Sequence, residues 1–266
     1  MTPYLFARTS ILFTMLLLPL LSIAQLSAEE QAKANNPLAN VKAFNIQNYY
    51  VPSIYDDPNL KANSALLRYA MPFAQGKLLV RITLPLSTNP SGYDAANHPT
   101  YSSGVGDLNF FATYLLSHPG SKTLIALGPQ VVLPTGSTNF TGSGKWQVGA
   151  AFVLFNIGSP ALQWGTLITW QTSIAGQADQ PATNMLVVQP VGVFQLGKGT
   201  YLRSSAPWNF DLENSSYDVP IGIGLGQVVK AGPTIFNLFL EPQFTMLHQG
   251  YGQPTLQLFG GINCQF

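Results

Sequence analysis

Five cations and two carboxylates of this chain stand at alternate positions within segments that are otherwise apolar. They are Arg68, Lys77, Arg81, Lys145 and Arg203 on one side of the balance, and Asp107 and Glu241 on the other. The amides Gln189, Gln195 and Gln243 follow the same alternation. Polar residues at a period of two collect on one face of a strand. On a shared inner face they offer charge rings and hydrogen bonds to a small solute. They can equally pair with one another and hold a wall together, since polar groups taken out of water need partners. The candidates for contact with a solute are Arg68, Arg81, Asp107, Lys145, Gln189, Arg203 and Glu241.

Other chemistry finds less support. Acyl transfer needs a nucleophile, a histidine and a polar group to orient it. The histidines are His98, His118 and His248; the first and last fall in long polar breaks and the second in a tight one. None stands beside a serine on an apolar strand. Asp94 with His98 is a loose protease-like pair, and no catalytic residue is assigned. No metal-ligand spacing occurs, and no cofactor is expected. Gly222-x-Gly224-x-Gly226 alternates with Ile221, Ile223 and Leu225. That pattern predicts a strand with a glycine inner face that another side chain approaches closely, not a phosphate loop. The net charge of +1 does not suggest nucleic acid. The single cysteine, Cys264, allows no intrachain disulfide and is expected to face lipid.

The composition restricts the elements that can carry these residues. Charged residues make up 9% of the chain, against about 25% in soluble domains, while aromatics reach 12%. Much of the surface must therefore face something other than water. Beyond the first residues, no segment reads as a membrane-spanning helix. A β-barrel in lipid meets both conditions; a fibrous assembly is the alternative.

Candidate strands cover residues 42–51, 64–73, 76–86, 107–117, 122–134, 144–156, 162–176, 182–196, 200–206, 217–229, 233–246 and 255–266. The breaks alternate in length. Residues 52–63, 87–106, 135–143, 177–181, 207–216 and 247–254 form the longer, polar breaks, and the others are tight. Bacterial outer-membrane barrels have an even strand number, short periplasmic turns and longer outer loops. The expectation is an all-β, transmembrane antiparallel β-barrel of about twelve strands, with ten or fourteen as alternatives. Leu108, Phe110, Ala112, Tyr114 and Leu116 would face lipid, with Asp107, Asn109 and Thr113 inside. Phe236, Leu238, Leu240, Phe244 and Met246 face out, opposite Asn237, Glu241 and Gln243. Leu78, Val80, Ile82 and Leu84 oppose Lys77, Arg81 and Thr83; Trp164, Ile168, Trp170 and Ile174 oppose Thr169, Gln171 and Ser173. Trp146, Trp164, Trp208, Tyr101 and Tyr217 near strand ends could form interfacial girdles.

The two ends agree. Residues 1–24 read as a signal peptide, with Arg8 in the n-region, an apolar run from Ile11 to Ile23 and a small-x-small site at Ser22-Ile23-Ala24. Cleavage before Gln25 is expected, with Leu26-Ser27-Ala28 a weaker site and an uncleaved anchor the alternative. Residues 25–40 are polar and weakly helical, read as a short periplasmic lead or, alternatively, a lumen plug. Residues 41–266 form the barrel. In the last strand Leu256, Leu258, Ile262 and Phe266 share a face opposite Thr255, Gln257, Asn263 and Gln265. A terminal strand ending on an aromatic resembles the C-terminal assembly signal of outer-membrane barrels.

Several stretches also carry a family resemblance. They include Gly104-Val105-Gly106-Asp107-Leu108, Gly128-Pro129, Leu133-Pro134-Thr135-Gly136-Ser137 and Gly142-Ser143-Gly144-Lys145-Trp146-Gln147-Val148-Gly149. Ser173-Ile174-Ala175-Gly176, Gln189-Pro190, Tyr201-Leu202-Arg203-Ser204-Ser205, Val219-Pro220-Ile221-Gly222-Ile223-Gly224 and Phe236-Asn237-Leu238 complete the order. In this order they resemble the outer-membrane transporter family labelled neuromedin U in bacterial genomes, also called the phenol-degradation meta-pathway family. The resemblance runs from about Gly104 to the end; Gly149-Ala150 departs from the Gly-Pro pair expected there. It implies a barrel in the outer membrane of a Gram-negative bacterium with a transport role, and carries no binding residue with it. The expected partners are outer-membrane lipid, the barrel assembly machinery and a small-molecule solute, aromatic compounds among the possibilities, with the protein a monomer. A lipase- or protease-type barrel enzyme and a surface-binding structural barrel are the alternative readings.

Overall fold

In lipid, strands whose two faces differ in polarity shelter the polar face and leave no open edge by closing into a barrel, and this chain closes in that way. The computed structural model describes residues 27–266; residues 1–24, expected from the sequence to be a signal peptide, lie outside the described residues. Fifteen strands form one antiparallel sheet. They are β1 (Ala43–Ile54), β2 (Ala62–Phe73), β3 (Leu78–Tyr93), β4 (Pro99–Val105), β5 (Leu108–Leu115), β6 (Thr123–Leu133), β7 (Lys145–Asn156) and β8 (Leu162–Gly176). Then follow β9 (Asn184–Gly197), β10 (Thr200–Ser204), β11 (Trp208–Asp211), β12 (Ser216–Gly222), β13 (Gly224–Ala231), β14 (Thr234–Gln249) and β15 (Pro254–Gln265). β4 with β5, β10 with β11, and β12 with β13 each continue one another around the wall, so the barrel has twelve staves. It closes where β1 pairs with β15, from Ala43 opposite Gln265 to Ile54 opposite Pro254.

The wall is inside-out relative to a water-soluble protein. Leu238, Leu240, Phe244 and Met246 on β14 are exposed, while Asn237, Glu241 and Gln243 on the alternate positions are buried. Ile82 faces out and Thr83 in; Trp164, Trp170 and Ile174 face out and Gln163 in. The row Leu256–Phe266 also has the expected phase, with Ile262 and Phe266 exposed and Gln257 and Gln265 buried. No helix among the described residues is long and apolar enough to cross a membrane.

The two ends of the barrel differ. At one lie both ends of the barrel segment and the short turns. The turn between β9 and β10 is tight enough that Gly197, Lys198 and Gly199 all take positive φ, which two glycines adopt at little cost. At the other end the strands run on past the wall. The segment 87–106, expected as a loop, is instead a hairpin: β3 continues to Tyr93 and pairs with β4, from Leu86 opposite Val105 to Tyr93 opposite Pro99. Backbone pairing satisfies its N–H and C=O groups, which a free loop of that length would leave to water. The break 207–216 likewise contains β11, and β14 extends into the expected break 247–254.

Among the described residues one helix, α1 (Ala28–Asn35), precedes the barrel. Ser27 caps it, and Glu30 closes a reciprocal capping box. The helix packs on the inner wall at the short-turn end. Ala34 lies in an apolar cluster with Val193, Tyr201 and Val228. Gln265 Nε2 donates to the Ala34 carbonyl at 2.9 Å, Asn237 Nδ2 to Asn35 Oδ1 at 2.8 Å, and Lys230 Nζ to Glu30 Oε1 at 2.9 Å. Beyond α1 the chain crosses to the far wall, where Leu38 and Ala39 face Pro72, Leu79, Thr113 and Ala126.

Candidate functional site: the lumen and its waist

The inward rows enclose two chambers. One, of about 220 Å³, lies toward the short-turn end and is floored by residues 34–41. The other, of about 460 Å³, opens toward the long hairpins. Four residues line both: Arg68 on β2, Arg81 on β3, Leu167 on β8 and Gln189 on β9. They form the waist of the lumen.

The two arginines reach the waist through strand register. Arg68 pairs with Thr83 and Arg81 with Ala70, so they are diagonal neighbours on one face, about 7–8 Å apart along the backbone. The Arg68 guanidinium donates to Gln47 Oε1, and Gln47 Nε2 donates to Asn263 Oδ1 at 2.8 Å. Arg81 lies over the Phe111 ring, 4.3 Å from its centroid, a cation–π arrangement. Among the described residues neither arginine is within ion-pair distance of a carboxylate. The Nε of each is shielded from solvent without an acceptor.

Arg203 and Glu241 behave differently. Arg203 Nε donates to Glu241 Oε2 at 2.8 Å. Ser205 donates its backbone N–H to Oε1 and its hydroxyl to Oε2, both at 2.7 Å, and Gln243 Nε2 adds a bond to Oε1 at 3.1 Å. Arg203 also stacks over Phe239 at 3.7 Å. The carboxylate is fully buried and saturated, so its charge is spent within the wall. Glycines make room for this cluster: a Cβ on Gly222 would stand 2.3 Å from Glu241 Oε1, and one on Gly226 2.1 Å from Tyr201 Cζ.

Of the residues singled out in the sequence, Arg68, Arg81, Gln189, Arg203 and Glu241 meet in the lumen. Asp107 and Lys145 do not join them. Asp107 sits where β4 gives way to β5 and accepts from the N–H groups of Gly136 and Ser143 and from the Ser143 hydroxyl. It ties down the turn 135–143. Lys145 Nζ donates to the Gln177 carbonyl at the same end. Both stand at strand starts, Asp107 between β4 and β5 and Lys145 as the first residue of β7, and bond to the adjoining loops rather than reaching the waist. Lys77 is exposed in the short turn before β3. Gln189 Nε2 donates to the Ser205 carbonyl at 2.8 Å. Asp94 and His98 stand 3.4 Å apart at the exposed tip of the β3–β4 hairpin, where Asp94 Oδ1 accepts the N–H groups of Ala96 and His98 and shapes the turn.

The sequence reading missed the inward aromatics. Tyr49 stacks on Phe259 at 4.1 Å, Phe239 meets Phe259 edge-on at 4.9 Å, and Phe111 underlies Arg81. Phase could have found them, since Phe239 falls between Asn237 and Glu241 and Phe259 two residues after Gln257. Expecting aromatics in the lipid row concealed them. An amide relay was also unforeseen: Gln130 donates to Gln171, Gln171 to Gln147 and Gln147 to Ser143.

No family model and no curated protein sequence matches the chain. Solved structures do. The COG4313 outer membrane channel from Pseudomonas putida F1 is 14% identical, with a TM-score of 0.65 over 85% of this chain and 94% of that one. The NanC porin is 10% identical, with a TM-score of 0.54 over 84% of this chain and 98% of that one. At these identities the likeness is one of fold: the chain is an antiparallel β-barrel of outer-membrane type.

Proposed function

We propose that the protein is an outer-membrane channel that passes small solutes passively through the barrel, with the short turns and α1 on the periplasmic side. The observation that carries this reading is the waist: two chambers inside an apolar-coated wall meet at Arg68, Arg81, Leu167 and Gln189. A narrow, polar-lined constriction selects by size, charge and hydrogen bonding. The neighbouring channel and porin support the same reading by fold, and the resemblance to the neuromedin U-labelled transporter family agrees with it. Passage of this kind requires no catalytic group.

Charge at the waist favours anions. Arg68 and Arg81 carry no paired carboxylate, Glu241 is neutralised by Arg203, and Asp218, the other buried acid of the wall, accepts from Asn209. Reconstituted in a planar bilayer, the protein should show a modest anion preference that declines as salt rises, because charges are screened beyond about 8–10 Å at physiological salt. Arg81→Glu should shift the reversal potential toward cations. Absence of conductance from correctly folded barrel would overturn the channel reading. Selectivity indifferent to Arg81→Glu would remove the waist from it.

A further inference from the structure

We infer that the waist is a binding site for a small carboxylate carried on an apolar body, such as a single ring or a short chain. The inference rests on the channel reading for its biological setting and on three observations for its chemistry. The first is uncompensated charge. Two guanidiniums sit diagonally on adjacent strands with no carboxylate in reach among the described residues. Like charges so close repel, and an anion between them offsets that repulsion.

The second observation is preparation for a planar acceptor. Gln47, itself held by Asn263, grips the Arg68 guanidinium from one side, and Phe111 supports the face of Arg81. Their Nε atoms are sheltered from water without an acceptor. A guanidinium fork matches the two oxygens of a carboxylate, and holding it in place in advance reduces the ordering needed on binding.

The third is what lies next to the charge. The chamber toward the short-turn end begins at the two arginines; amides such as Asn45 and Gln47 line part of it, and Leu79, Phe111, Val153, Phe155 and Phe259 give it an apolar side. An inorganic anion would satisfy the arginines and leave this apolar lining unused. A carboxylate with a ring or short alkyl tail satisfies both, with its head at the waist and its body below. The volume of about 220 Å³ is under the ~300–1,000 Å³ of pockets for drug-sized ligands, which limits the body to a small one.

The test uses the full-length barrel in a planar bilayer carrying a chloride current. Benzoate added to one side should interrupt the current in a concentration-dependent way. Acetate, which lacks the apolar body, should require at least tenfold more, and neutral benzamide should have no effect over the same range. Arg68→Gln with Arg81→Gln should raise the half-blocking benzoate concentration at least tenfold, Arg68→Lys should raise it less, and Lys61→Gln, at an exposed loop residue that lines neither chamber, should not change it. Heat-modifiable migration checks that each variant is folded. Equal block by benzamide, equal potency of acetate, or full benzoate block in the double variant would overturn the site while leaving the channel standing. If the folded protein conducts nothing, the channel reading falls and the site is decided by equilibrium dialysis of labelled benzoate against detergent-solubilised barrel. Binding lost in the double variant would then support it, and no binding would overturn it.

Discussion

Glu241 contributes more to the wall than to the lumen. Its two oxygens accept four hydrogen bonds from Arg203, Ser205 and Gln243. Glu241→Ala would leave Arg203 and the Ser205 N–H without their acceptor. Removing one member of a buried pair typically costs about 3–5 kcal/mol, so the variant should unfold at markedly lower denaturant, as read from the loss of heat-modifiable migration. The glycine row beside it is equally constrained. Gly226→Ala would drive a methyl group to 2.1 Å from the Tyr201 ring and should lower barrel stability. Tyr201→Ala in the same chain should recover part of that loss, because it empties the space the methyl needs; no recovery would mean that the backbone rather than the ring sets the limit.

Helix α1 and the residues after it form the element that closes the short-turn end. The helix is held by its cap, by the Glu30–Lys230 pair at 2.9 Å and by side-chain bonds from Asn237 and Gln265. Its buried apolar side chains are only the small Ala32 and Ala34, and Ala28, Glu29 and Lys33 are exposed, so it is the portion of the lumen most readily displaced. Deleting residues 27–39 should raise single-channel conductance several-fold. Unchanged conductance would locate the barrier at the waist instead. The Ser27 backbone N–H, and after it the Lys230 ammonium, hold the Glu30 carboxyl below its ordinary value. A depressed value means that the attachment is at full strength above the ordinary carboxylate range and is lost as pH falls through the folded value. Conductance should therefore not vary with pH near neutrality and should rise once the pH falls below the ordinary carboxylate range, while Glu30→Gln should raise conductance already at neutral pH and abolish that component of the acid response.

At the scale of the whole molecule, the asymmetry of the two ends predicts orientation. Tags in 87–106 or 135–143 should be labelled on intact cells and tags in 118–121 or 197–199 should not; labelling of the short turns would invert the barrel. The outer surface predicts the cost of charge. Leu238 is exposed on the lipid face of β14, and Leu238→Arg should destabilise the barrel by roughly 2–4 kcal/mol if it lies near the bilayer midplane. Phe266 is exposed at the end of the outer row and its N–H donates to the Lys42 carbonyl across the closing seam. Phe266→Asp should lower the amount of heat-modifiable barrel recovered from outer membranes.

The class of fold, a count of about twelve staves with ten and fourteen left open, and the phase of the strands around residues 78, 108, 164, 238 and 256 were legible in the sequence alone. Those follow from a period of two and from alternating break lengths, which are local properties: Asn237, Glu241 and Gln243 had to share a face whatever lay opposite them. It also implied the role of Gly222, Gly224 and Gly226 as room for another side chain. Only the tertiary structure decided which inward residues meet. Arg203 and Glu241 neutralise each other while Arg68 and Arg81 stay unpaired. That outcome depends on stagger around the closed wall, which no single strand encodes. The rim positions of Asp107 and Lys145 and the seat of α1 inside the mouth likewise depend on how far strands extend and on which wall is free to receive a helix. The waist exists for the same reason: it is the place where two hairpins distant in sequence, β2–β3 and β8–β9, bring Arg68, Arg81, Leu167 and Gln189 to one level.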